Sequence, residues 1–220
     1  MRSIWALLSK DILLEWRQRY ALNGMLLYVV STIFVVYMSF KLRVASIEPI
    51  TWNTLFWIIL LFTAVNAITK SFTQERSGRL IYYYTIVNPQ AVIIAKIVYN
   101  SLMLLVLGLI GLLIYTTMMG NPVQDMPLYL FSVVLGAVGF AATLTIVAGI
   151  ASKADNTATL MAVLSFPILL PMLLMLMRLS KNAMDGLARN VSYDEILTIV
   201  AIDGIVIALS YLLFPYLWRS

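Results

Sequence analysis

Six continuous apolar runs of about 20 residues organise this sequence, at 22–40, 52–69, 92–119, 128–151, 157–177 and 196–217. A helix rising 1.5 Å per residue needs roughly 20 such residues to cross a ~30 Å hydrocarbon core, so each run suffices for one crossing. A membrane barrel would instead alternate apolar and polar residues over segments of roughly ten. The predicted fold is therefore an all-α integral membrane protein with six transmembrane helices. The third run exceeds one crossing and is expected to tilt or to project beyond the bilayer. Of the 220 residues, 62% are hydrophobic and 11% charged. A chain of this size folded in water would leave much of that apolar surface exposed, so lipid must cover it.

Six crossings bring both ends of the chain to one side, and Lys and Arg favour the cytoplasmic side. Arg2, Lys10, Arg17, Arg19, Lys70, Arg76, Arg79, Lys96, Lys153 and Arg219 fall on the side of the termini. Lys41, Arg43, Arg178, Lys181 and Arg189 fall on the other. Ten against five predicts cytoplasmic termini, and the loop 120–127 adds no basic residue to the outer side. Asp11 and Glu15, with the length of the apolar run that follows them, argue against a cleaved secretory signal. A single membrane domain over 1–220 is expected.

Several chemistries are excluded by residue types. The chain has no cysteine and no histidine, which removes disulfides, thiol chemistry, the commonest general base and the usual proximal ligand of haem. Among twelve methionines, Met172, Met175 and Met177 are conceivable axial ligands, but methionine is also the adaptable filler of apolar interiors. No axial ligand, metal site or catalytic residue is assigned. The scattered carboxylates form no acid/base dyad. The net charge of +5 lies at the ends of apolar runs rather than on one patch, so the expected partner is a lipid bilayer and not a nucleic acid.

Residues 1–21 combine Ile4, Trp5, Leu8, Ile12 and Trp16 with Lys10, Arg17 and Arg19. On a helical wheel the five apolar residues cover roughly a third of the circumference, which predicts a helix lying at the cytoplasmic interface. It serves either as a plain anchor or as an elbow joining the bundle to a cytosolic partner. Between the second and third runs, Glu75, Arg76 and Arg79 bring charge to a short cytoplasmic piece, while Leu80, Ile81 and Tyr82 to Tyr84 give it an apolar side. Gly78 permits close backbone approach and Pro89 stiffens the return to the bilayer. This piece is either a docking element or a solvated loop with an aromatic belt.

Glu75-Arg76-x-Gly78-x-Leu80, then Asn88-Pro89 and Ala95-Lys96, resembles the coupling segment of membrane subunits of ABC-type exporters. Leu135-Gly136-Ala137, Ala151-Ser152-Lys153-Ala154 and the stretch from Leu160 to Pro171, with its paired prolines, resemble one such family, CcmB, over most of the chain. The resemblance implies a non-catalytic permease subunit in the bacterial inner membrane, serving haem export for cytochrome c maturation. It implies a separate CcmA-like ATPase, CcmC-like and CcmD-like companions, and haem as the transported substrate. In agreement, no G-x-x-x-x-G-K-[ST] phosphate loop occurs, so ATP would act through the partner. Two alternatives stay open: a coupling or scaffold subunit that releases haem-loaded chaperone without moving haem, and a small exporter of another amphiphile.

Within the runs, Ala137, Ala141, Thr145 and Gly149 recur every four residues, a ridge that lets helix backbones approach closely in lipid. It serves packing within the chain or contact with another subunit. Pro167 and Pro171, one turn apart, predict a kink, a hinge or the lining of a path. Asp203 lies inside the sixth run, where a carboxylate is costly. It is expected to pair with a snorkelling Arg178, to be protonated, or to touch substrate. Asn66 and Asn100 are expected to bond between helices.

Overall fold

The computed structural model describes residues 2–18, 20–41, 47–73, 88–151 and 157–219. Among them are seven α-helices: α1 Arg2–Gln18, α2 Tyr20–Lys41, α3 Pro49–Thr73, α4 Pro89–Met119, α5 Met126–Ala151, α6 Thr157–Met184 and α7 Tyr193–Arg219. A 3-10 turn, Arg189–Ser192, precedes α7. Six of these helices, α2 to α7, are long and apolar enough to cross a membrane, as the six runs predict. Because the number is even, both termini lie at one end of the bundle, here called the termini end. The loops 120–125 and 185–188 lie at the other, the loop end.

Polar residues fix where the helices begin and stop. Pro49 and Pro89 occupy first-turn positions, where a missing N–H costs nothing. Asn88 caps α4, its Oδ1 accepting from Gln90 N at 3.1 Å, and Gly120 ends that helix at φ +82°, a conformation that favours glycine. Asp125 caps α5 by accepting from Leu128 N at 3.2 Å. Asp194 and Glu195 in the first turn of α7 suit the positive end of its dipole. Several hydroxyls within the apolar helices are satisfied on their own backbone: Thr63, Ser101, Ser180 and Ser210 each donate to the carbonyl four residues back at 2.7 Å.

Helix α5 is the axle of the bundle. It packs against α3, α4, α6 and α7, and almost every side chain from Gly136 to Ala151 is buried. A helix hydrophobic all round belongs inside, and the small residues of α5 let four neighbours close on it. Helix α2 contributes the buried stripe Met25, Val29 and Ile33, flanked by the partly buried Leu26 and Val36, and packs towards α3 and α4. The outward faces of α2, α6 and α7 keep large apolar residues such as Val35, Leu174 and Leu212 for lipid.

Helix ends outrun the apolar runs. Helix α6 continues from 177 to Met184 and takes Arg178 and Lys181 into its last turns, and α7 begins at Tyr193 rather than near 196. A helix does not stop at the edge of the hydrocarbon, so charged turns extend it into the headgroup region. At 31 residues, α4 is about 46 Å long, well beyond the ~30 Å core.

Candidate functional site

The termini end holds the connection that the sequence resemblance points to. Chain 74–87, which joins α3 to α4, lies outside the described residues, and with it Glu75, Arg76, Gly78, Arg79 and Leu80. Pro89, the remaining member of that predicted set, sits at the first position of α4. About three turns further in, consecutive residues of α4 reach in different directions. Tyr99 donates its hydroxyl to Glu15 Oε2 of α1 at 3.1 Å, and Asn100 donates Nδ2 to Thr145 Oγ1 of α5 at 2.9 Å. The start of α4 is thus tied both to α1 and to the buried centre of the bundle.

Helix α1 lies along α4 with Leu8 buried and Leu7 packed against the core. The predicted apolar face is therefore split. Leu8 serves the bundle, whereas Trp5, 71% exposed, and Ile12 remain outside, as suits an interfacial flank. Lys10 pairs with Asp11 at 3.1 Å and Arg17 is exposed. The side chain of Trp16 lies outside the described ones.

The predicted ridge is entirely internal. Ala137, Ala141, Thr145 and Gly149 are all buried within this one chain, and Thr145 receives the bond from Asn100, so packing inside the bundle accounts for them. Asn66 differs from its expected role: its Nδ2 returns to Phe62 O of its own helix at 3.0 Å, on an exposed face. Pro167 and Pro171 lie within α6. Helix α6 runs unbroken through both, and both are exposed while Leu169, Met172 and Leu176 face the core.

Asp203 is 6% exposed and sits on α7 against Gly139 of α5 and Met172 of α6. A side chain at position 139 would collide with Asp203 Oδ1 and Met172 Sδ, so the missing Cβ makes the notch that admits the carboxyl. The expected pairing with Arg178 is not formed: Arg178 is exposed, and Asp203 Oδ1 has no hydrogen-bond partner. Arg178 lies six residues nearer the loop end than Met172 on α6, roughly 9 Å along the axis, and its side chain points outward.

The loop end carries a clasp that the sequence reading missed. Trp52, Phe56, Trp57, Tyr115, Tyr129 and Phe140 form one buried aromatic cluster, with ring centroids 4.7 to 6.3 Å apart. Hydrogen bonds tie the cluster across four helices. Tyr115 donates to Trp52 O at 3.0 Å and Tyr129 to Asn53 Oδ1 at 3.2 Å. Asn53 Nδ2 donates to Met177 O at 2.9 Å and Trp57 Nε1 to Ser180 Oγ at 2.8 Å. The available signal was the density of Trp and Tyr at run ends, which reads equally well as an interfacial belt.

Outside the clasp, Arg189 donates Nε to Asp125 Oδ2 at 3.0 Å and a second N–H to Oδ1 at 3.3 Å, joining the two loops. The Arg189 bond, then the Leu128 N–H, hold the Asp125 carboxyl below the usual carboxylate range. A lowered folded-state pKa gives stability that is full above the unfolded value of about 3.9 and is lost as pH falls through the folded one. Acidification below about pH 4 is therefore expected to lower the protection of amides in 120–125 and 187–192, measured as exchange relative to the intrinsic rate at the same pH. Asp125→Asn should show faster exchange already at neutral pH and lose that acid response.

A family model described as CcmB protein matches residues 2–216, from the first helix almost to the end of the last. No curated protein and no solved structure matches the chain. With six membrane-length helices and a match over nearly its whole length, the chain belongs to the CcmB family, the membrane component of the haem exporter for cytochrome c maturation.

Proposed function

We propose that this chain is the permease half of an ATP-driven haem exporter, with both termini in the cytoplasm of a bacterium and haem delivered to the periplasm. A separate CcmA-like ATPase grips the 74–87 connection, and CcmC-like and CcmD-like subunits complete the assembly. The family's place in an ABC transporter complex supports an ATPase partner. The observation that carries the coupling reading is the pair of bonds from Tyr99 to Glu15 and from Asn100 to Thr145. Through them, displacement at the head of α4 reaches α1 and the buried helix α5 together. A ligand shifts a protein only through contacts that differ between its states, and these helix contacts are the ones a push at 74–87 would change.

Proteoliposomes holding this chain and its ATPase, without other haem-handling subunits, test the proposal. ATP-dependent haem passage across the vesicle membrane is expected. The rival reading, a coupling subunit that frees haem-loaded chaperone, draws support from α5 being packed on all sides. Its outcome is ATP hydrolysis with no haem movement, and chaperone loaded with haem that accumulates when hydrolysis is blocked.

A further inference from the structure

Asp203 is the tenth residue after the start of α7, about 15 Å along the axis, and seven residues, about 10 Å, inside the apolar run that begins at 196, or a third of a ~30 Å hydrocarbon core. It is the buried acidic residue among the described ones. Its Oδ1 has no hydrogen-bond partner. One turn from Gly139 on the same face of α5, Thr143 is completely buried, and its Oγ1 also lacks a partner. Two unpartnered polar atoms thus lie at successive turns beside the same notch.

Among the described residues, no cation on the packed elements reaches that carboxyl. Helix α5 carries no charged residue. On α4 the cation is Lys96, 23 residues from the loop end of its helix, about 34 Å against about 15 Å for Asp203. On α6, Arg178 is exposed and Lys181 is held by Asp185 at 2.6 Å. Arg189 of the 3-10 turn is held by Asp125 at 3.0 Å. The phenols are engaged too: Tyr99 with Glu15, Tyr115 with Trp52 and Tyr129 with Asn53. On α7 itself, Asp194 and Glu195 sit in the first turn and Arg219 at the last residue, with Tyr193, Tyr211 and Tyr216 exposed.

An ionised carboxylate with a bare oxygen and no countercharge is among the costliest groups to place inside a membrane bundle, whereas the neutral acid is a modest polar group. We propose that Asp203 is a proton-binding site at the centre of the bundle, occupied in the packing seen here. Binding forms one O–H bond on the carboxylate and breaks one in hydronium, with no redox change. Thr143 supplies a hydroxyl about 6 Å along α5 from Gly139. A slip of about one turn between α5 and α7 would bring acid and hydroxyl together, so the proton biases which packing of these two helices is held.

The proposal stands apart from the transport reading, because its test involves neither haem nor ATP. Infrared spectra of the full chain in lipid nanodiscs, with aspartate carrying ¹³C in its side-chain carboxyl, report protonation directly. At about pH 7, where ordinary aspartates are ionised, an isotope-shifted carbonyl band of a protonated acid is expected, fading reversibly on alkalinisation and absent from Asp203→Asn. If the isotope shifts only carboxylate bands at that pH, the proposal is overturned. Should Asp203→Asn fail to fold, the isotope shift in the unmutated chain still decides.

Discussion

Gly136→Ala is expected to destabilise the bundle by about 1–3 kcal/mol, the range for overpacking a filled interior. A Cβ there would lie 2.6 Å from Trp57 Cζ3 and 2.8 Å from Cη2, with Leu176 Cδ1 at 3.3 Å behind. The indole has nowhere to retreat. It is fully buried, meets Phe56 and Phe140 edge-on, and donates Nε1 to Ser180 at 2.8 Å. Moving it risks that buried hydrogen bond, whose loss costs a further ~1–3 kcal/mol. Alanine favours helix over glycine by only about 1 kcal/mol, so the clash wins. Gly204→Ala supplies the contrast. Nothing lies within 4 Å of a Cβ at that position, and the helix preference alone should leave stability unchanged or slightly raised. Thermal midpoints of the two variants in the same detergent decide the matter. A Gly136→Ala midpoint equal to that of Gly204→Ala would show that the clasp is looser than drawn.

The second large effect concerns the ATPase. Glu75→Lys is expected to abolish co-purification with that subunit while membrane insertion stays intact. Reversing a charge in a docked segment leaves its partner group facing a like charge. Truncating one partner of a buried charge pair already costs about 2–5 kcal/mol, or roughly 30-fold to several-thousand-fold in affinity. Insertion depends on the six apolar runs and on basic residues near them, and a lysine added beside Arg76 and Arg79 keeps that bias. Pull-down through a tagged ATPase, with the chain's membrane level measured in parallel, separates the two effects. Undiminished co-purification counts against the coupling assignment.

How much of this was legible in the sequence depended on whether one residue type has one physical use. The crossings were legible, because a run such as 128–151 has no comfortable place except lipid or a fully buried core, and α5 spans Met126–Ala151. The ridge from Ala137 to Gly149 was legible for the same reason, since small residues at four-residue spacing serve close packing. Asn66 and Asn100 were not distinguishable. Both are amides inside apolar runs, and only the bonding partner, Thr145 of another helix for one and Phe62 O of its own helix for the other, sorts them. The clasp was illegible because its members come from positions 52–57, 115, 129, 140 and 177–180, which no periodicity connects. Asp203 was visible as a buried carboxyl, but its neighbours were not. Gly139 carries no side chain to advertise the notch, and Arg178 has the reach to seem a partner until α6 turns it outward.

An ATPase in the cytoplasm can drive this chain only if the 74–87 connection opens to that side. The sequence has no cysteine, so a Gly78→Cys variant carries one thiol and no background. A membrane-impermeant maleimide should label it in inside-out vesicles and fail to label it in intact spheroplasts, with the ATPase protecting it when bound. Labelling from the periplasmic face alone would contradict the orientation, the docking of an ATPase and the transport mechanism together.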